Sequence, residues 1–174
     1  MHTNKQDLKV LIDSLPEGVD LSAVEFEVKK LLPANPTMRI NFGNGHFDRD
    51  FTKEGFELKS DVESLSGDLD LDAAPFLKED ETSINSKEMI KRAVKLGANL
   101  GQRDAERLLK DPSKIPEGLR SFYLVFPGTI WVRLSDGSHC TPCLFWDGVR
   151  WVVILLWLGY VWNSRGRLLV PRKK

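Results

Sequence analysis

Four groups of residues have types and spacings that could do chemistry. Cys140-Thr141-Pro142-Cys143, with His139 beside it, has the spacing of a redox or metal-binding pair. In thioredoxin-type sites that motif opens a helix, whose dipole lowers a thiol pKa. Here it precedes Leu144-Phe145-Trp146 in a segment of strand composition. Residues three apart in a strand face opposite ways, which disfavours both a disulfide and a shared ligand. A structural zinc takes four ligands, and beyond His139 only the distant His2 and His46 offer imidazole. Two buried strand cysteines are expected.

Asp68, Asp70, Asp72 and Glu79 are the candidate metal ligands, because their spacing is that of an EF-hand calcium loop. Ala73 stands where the sharp turn of such a loop wants glycine, Pro75 follows, and neither flank reads as a helix. A solvated acidic linker is the plainer reading. His46, Asp48 and Asp50 would share one face of a strand and could form a metal-nuclease cluster. Alternating with Phe47, Arg49 and Phe51, they equally describe a half-exposed hairpin arm.

The fourth group is basic. Lys91, Arg92 and Lys95 lie on one predicted helix, Arg103, Arg107 and Lys110 on the next, and Arg165 and Arg167 near the C-terminus. Together they are the candidate nucleic-acid contacts. The two helices have the spacing of a helix-turn-helix around Gly97, although Arg103 and Glu106 fall where that motif wants apolar residues. Five tryptophans, Trp131, Trp146, Trp151, Trp157 and Trp162, sit in the C-terminal region beside Arg133, Arg150, Arg165 and Arg167. Such a set could stack bases or clamp a peptide, but a small β unit needs most of them as core.

These groups must be carried by the surrounding elements. The chain has 174 residues, 41% apolar and 29% charged, the profile of one globular domain or two small ones. The formal net charge of zero hides an asymmetry. Residues 41–90 carry 5 basic and 13 acidic groups, and residues 91–174 carry 15 and 6. Either the two halves neutralise one another or the basic half meets an anionic partner. With two cysteines and no secretory leader, a cytoplasmic protein is expected. No cofactor and no membrane association are expected.

Apolar periodicity predicts short helices over 5–14 and 21–32, followed by a hairpin about Gly43-Asn44-Gly45. Residues 1–58 thus form a small N-terminal unit, 59–84 an acidic linker or long loop, and 85–174 a helical pair with a β unit. In the last, Asn85 with Glu88 and Asn99 with Gln102 read as helix caps. Trp151–Trp162 reads as a single strand with two apolar faces, entered from a turn at Asp147-Gly148. The fold class is α+β, with short helices on a Trp-rich antiparallel meander or small SH3-like barrel in the C-terminal half.

Three functions follow in order. The first is a non-enzymatic interaction or regulatory protein acting through the β unit, with a protein partner, as a monomer or homodimer. The second is a nucleic-acid-binding protein using the basic helices 86–110 and the C-terminal arginines. The third is a metal-dependent enzyme.

Overall fold

A strand whose consecutive residues are all apolar has to bury both faces. The computed structural model, which describes residues 37–42 and 46–172, shows two separate covers. In chain order the strands and helices are β1 (Thr37–Phe42), β2 (Phe56–Ser60), β3 (Gly67–Ala74), β4 (Ser83–Ile84), α1 (Ser86–Leu96), α2 (Gln102–Lys110), β5 (Tyr123–Val125), β6 (Ile130–Arg133), β7 (His139–Trp146), β8 (Trp151–Trp157), β9 (Trp162–Asn163) and β10 (Gly166–Pro171). Eight strands form one mixed sheet in the order β1-β3-β10-β5-β7-β6-β2, with β8 on the other side of β7, while β4 and β9 make a separate ribbon.

Side-chain alternation divides the sheet into two cores. Leu124, Leu144, Val153 and Leu169 point into one cluster, which α2 completes with Ala105 and Leu108. Their immediate neighbours Val125, Cys143, Ile154 and Leu168 point into the other, completed by Met89 and Ala93 of α1. The two helices therefore cover opposite faces and do not form the expected pair on one face, nor a helix-turn-helix. Arg92 and Arg107 are consequently not presented by one compact motif.

Further expectations are corrected. The sheet is not a pure antiparallel meander, because β10 joins β5 in parallel. Nor does the ladder close into a barrel among the described residues, where β1, β2 and β8 each pair on one side only. Residues 59–84, expected as a linker, hold β3 in the sheet between β1 and β10. Leu69, Leu71 and Ala73 of β3 face the first core, which leaves Asp68, Asp70 and Asp72 on the opposite face. All described residues belong to the unit that begins at Asn35. The helices expected at 5–14 and 21–32, and the turn at 43–45, lie outside the described residues. The proposed second hairpin arm, 46–51, is not a strand, and β1 pairs with β3.

Local chemistry sets the element ends. Asn85 caps α1 by accepting from the Glu88 N–H at 2.9 Å, as its position foretold. Gly97 ends that helix at φ +68°, in the left-handed region where glycine is favoured. The apolar run does not continue as one strand to Trp162. It breaks after Trp157, where the Tyr160 N–H returns to the Trp157 carbonyl at 3.1 Å. Trp162 then starts afresh in β9, buried, with its indole N–H donating to Ser86 Oγ at 2.7 Å.

No helix among the described residues is long and apolar enough to cross a membrane. Leu108→Ala and Met89→Ala, both fully buried but in opposite clusters, should each destabilise the fold by about 2–5 kcal/mol. In the double variant the losses should add to within about 0.5 kcal/mol, measured by urea denaturation. Strong coupling between them would mean that the two clusters are one.

Candidate functional site

Buried polar side chains concentrate on α2, whose sequence QRDAERLLK has few apolar residues. Each is matched to a specific donor or acceptor. Glu106 accepts from the backbone N–H groups of Asp48 (2.7 Å) and Arg49 (2.9 Å). Gln102 donates to Glu106 (2.7 Å) and to the Arg49 carbonyl (2.7 Å), and its own oxygen accepts from the Trp131 indole at 2.7 Å. One helix face thus holds the 48–49 loop and a core tryptophan in register. A buried carboxylate taking two backbone donors is stabilised where it would otherwise be costly.

The start of α2 is tied just as tightly. The cap position is Gly101, not Asn99, and its N–H donates to Asp104 Oδ2 at 2.8 Å. The side chain that satisfies the next orphan donor comes from far along the chain: Gln102 N–H donates to Thr129 Oγ1 at 2.8 Å. Thr129 in turn donates to Asp61 at 2.5 Å, and Asp61 is ion-paired with Arg103. This junction has no room for side chains at two glycines. A Cβ at Gly101 would stand 2.8 Å from Thr129 Oγ1, and one at Gly128 would stand 2.7 Å from the Asn99 carbonyl oxygen.

The sequence-predicted sites fall as follows. Cys140 and Cys143 are free, buried strand cysteines on β7, as expected. Burial pushes the Cys143 thiol far up, away from reactivity. Asp68, Asp70 and Asp72 stand on an extended strand, which spaces alternate side chains roughly 7 Å apart along one face and does not wrap them around an ion. Asp72 is bound by Arg172 at 3.0 Å and Thr37 at 2.6 Å, and the Arg172 guanidinium holds its carboxyl below the ordinary range. Glu79 lies beyond the strand, and no group of three potential ligands is gathered among the described residues. Asp48 pairs with Lys110 at 3.2 Å, and Asp50 caps the turn at Phe51–Glu54.

The basic candidates are spread over the fold and largely engaged. Arg92 binds Glu81 and Glu88, and also donates to the Phe76 carbonyl at 2.7 Å. Lys91 lies 3.8 Å from Glu88. Arg103 stacks on Phe47 at 4.8 Å while paired to Asp61. Arg165 and Arg167 donate to backbone carbonyls, and Arg167 lies over Phe122 at 3.8 Å. Lys95 and Arg107 share α1 and α2 with their neighbours and so lie on different faces of the sheet. The acidic middle of the chain and its basic end thus meet inside the molecule.

A concave surface lies elsewhere. Two adjoining hollows of about 390 and 370 Å³ share Leu109, Arg150 and Trp151, and form a groove between the end of α2 and the start of β8. One end is closed by Arg49, held by Glu54 through two bonds of 2.8 Å and donating to the Val153 carbonyl at 2.8 Å. The other end reaches Trp146 and Arg120, whose guanidinium lies 4.3 Å over the Trp146 ring. Trp146 and Trp151 meet edge to face at 5.8 Å beneath it.

The wall formed by β8 is an open strand edge, because β8 pairs with β7 alone among the described residues. The Leu158 N–H donates to His139, and the Asp147 N–H reaches Arg150. By antiparallel alternation, Val152, Ile154 and Leu156 turn their backbone groups toward β7, while Trp151, Val153 and Leu155 turn theirs outward. The Arg49 bond to the Val153 carbonyl confirms that phase. Sequence reasoning flagged Arg150 and the tryptophans; it missed Leu109 and Arg120, which have no local motif. No protein-family model, curated protein or solved structure matches this chain.

Thr129→Val should cost about 1–3 kcal/mol, more than loss of one methyl-sized contact, because it leaves the buried Gln102 N–H without its acceptor and removes one donor from Asp61. A chemical denaturation series checks it. Acid should act oppositely on two carboxylates. Burial, its largest influence, raises the Asp104 pKa above the ordinary aspartate value. Its folded form therefore binds the proton more tightly, and its contribution is greatest at low pH and is lost as pH rises through the raised value. Glu81, lowered from 4.5 to about 2 mainly by its hydrogen bond from Arg92, contributes above the ordinary value and loses that as pH falls toward about 2. Denaturation midpoints of Asp104→Asn and Glu81→Gln, followed from neutral to acid pH against the parent, should diverge from it with opposite slopes.

Proposed function

We propose that this protein is a non-enzymatic binding module that takes an extended polypeptide segment into the groove between α2 and β8. The observation that carries the reading is the groove wall itself, a strand edge unpaired among the described residues, whose outward N–H and C=O groups, apart from the Val153 carbonyl held by Arg49, face a concave, largely apolar channel. An added strand satisfies such an edge through its main chain, and neighbouring hollows take alternate side chains. The ionisable groups of the channel support binding over chemistry. Glu106 is committed to two backbone donors, and Asp48 to Lys110. Leu109, Trp146 and Trp151 supply apolar contact, the usual source of affinity in a peptide groove.

The edge also differs from the two others that the sheet leaves open among the described residues. β1 carries Arg39, and β2 carries Glu57 and Lys59 with a register break after Leu58. Charges and irregularities are the ordinary means of discouraging strand addition. Trp151–Trp157 contains no charge and no proline.

Hydrogen exchange measured by NMR on the full chain tests the mode of binding. On addition of a selected peptide, the outward amides of Trp151 and Val153 should slow, while those of Val152 and Ile154, already bonded to β7, should change little. Leu109→Lys, on a partly buried floor position, should reduce affinity by about ten-fold or more. Uniform change along β8, or protection confined to another surface, would refute the reading.

A further inference from the structure

Resting on that reading of the groove, we infer that its occupant is acidic: an extended segment with an aspartate or glutamate side chain that lies between Arg120 and Arg150. The hollow nearest the β7–β8 turn is lined by both Arg120 and Arg150 and has no carboxylate in its lining. Each arginine is only loosely committed within the molecule. Arg150 has 79% of its side chain exposed, and its nearest carboxylate, Asp147, lies 3.9 Å away, at the limit of an ion pair. Asp147 itself is spent on the turn, accepting from the backbone N–H groups of Val149 and Arg150 at 2.8 Å. Arg120 pairs at 3.0 Å with Glu117, whose side chain is 81% exposed and which belongs to its own short turn.

The aromatic floor makes this more than a surface pair of cations. Trp146 supports the face of the Arg120 guanidinium at 4.3 Å. A guanidinium stacked by its face keeps its N–H edge available, and that edge matches a carboxylate in bidentate fashion. Contrast Arg92 and Arg103, whose carboxylate partners Glu81 and Asp61 are themselves largely buried. In this hollow Arg120 and Arg150 face an opening whose own lining holds no carboxylate, their partners Glu117 and Asp147 lying outside it. Charge complementarity therefore selects an acidic segment. The open edge alongside, which reads main chain, favours a polypeptide over a nucleic acid as the source of that charge.

The test uses the full-length protein and an immobilised library of randomised heptapeptides with amidated C-termini. Amidation leaves side chains as the only carboxylates. The expected result is enrichment of Asp- and Glu-containing peptides. Their affinity should fall about ten-fold or more in Arg120→Ala/Arg150→Ala, and fall with added salt. Arg120→Glu/Arg150→Glu should switch the enrichment to Lys- and Arg-containing peptides, which a merely structural role for these exposed side chains does not produce. Acidic peptides that bind both double variants normally would overturn the assignment. So would enrichment of neutral or basic peptides that still protect the Trp151 and Val153 amides, and in that case the groove reading survives. Peptides recovered only when the C-terminus is a free carboxylate would assign the arginines to a chain terminus and overturn the side-chain proposal. If no peptide protects those amides, both inferences fail.

Discussion

The fold rests on one constraint of strand geometry: β5, β7, β8 and β10 each carry consecutive apolar side chains that point to opposite sides of a single sheet. Leu144 and Cys143, or Leu169 and Leu168, cannot share a core. Two helices must therefore be found for two faces, and the short segment Gly97–Gly101 between them has to carry the chain from one side of the sheet to the other. The tight seating of Gly101 and Gly128 marks the place where that passage is pinned. The Gly128 N–H donates to the Leu100 carbonyl at 2.8 Å, and neither glycine tolerates a side chain there without displacement.

The second cover is unusual in its chemistry. α1 packs through Met89 and Ala93, while α2 packs through Ala105 and Leu108 with a buried polar face alongside. Its stability depends on acceptors and donors being counted correctly: Glu106 against two amides, Gln102 against an amide carbonyl and an indole, Thr129 against a helix N–H. Networks of this kind specify a unique arrangement because partial satisfaction is costly. These residues are the fasteners of the 46–65 segment. The same fasteners fix the 48–49 loop at one end of the groove, where Arg49 reaches the Val153 carbonyl.

How much of this was legible in the sequence follows from the range of the interactions. The limits of α1, its Asn85 cap and its Gly97 stop were legible because capping acts over three or four residues. So were the strands β5 to β8 and the burial of the two cysteines, which follow from composition and period. The cap of α2 was not, because its acceptor, Thr129, is distant in sequence. β3 was read as a linker since its aspartates dominate the composition, yet Leu69, Leu71 and Ala73 give it the alternation of a half-buried strand. The opposite seating of the helices, the parallel pairing of β10, and Arg120 beside Trp146 all depend on tertiary placement, which no local pattern encodes. The charge asymmetry left two outcomes open, internal neutralisation or an anionic partner. Glu81 with Arg92, Asp61 with Arg103 and Asp72 with Arg172 favour internal neutralisation for much of it.

The position of β10 has a consequence for how the chain acquires its structure. It lies between β3 and β5, so it is the plank that joins β1 and β3 to the rest of the sheet. Every other strand precedes it in the chain. During synthesis β1 and β3 must wait, with one edge bare, until Gly166–Pro171 has emerged, roughly a hundred residues after β3 itself. Loop closure over that span is slow relative to the hairpin of β7 and β8, which meet across a short turn. The nascent chain is thus expected to hold a preformed C-terminal hairpin and an unfinished early ladder, with its exposure to mispairing greatest in that interval.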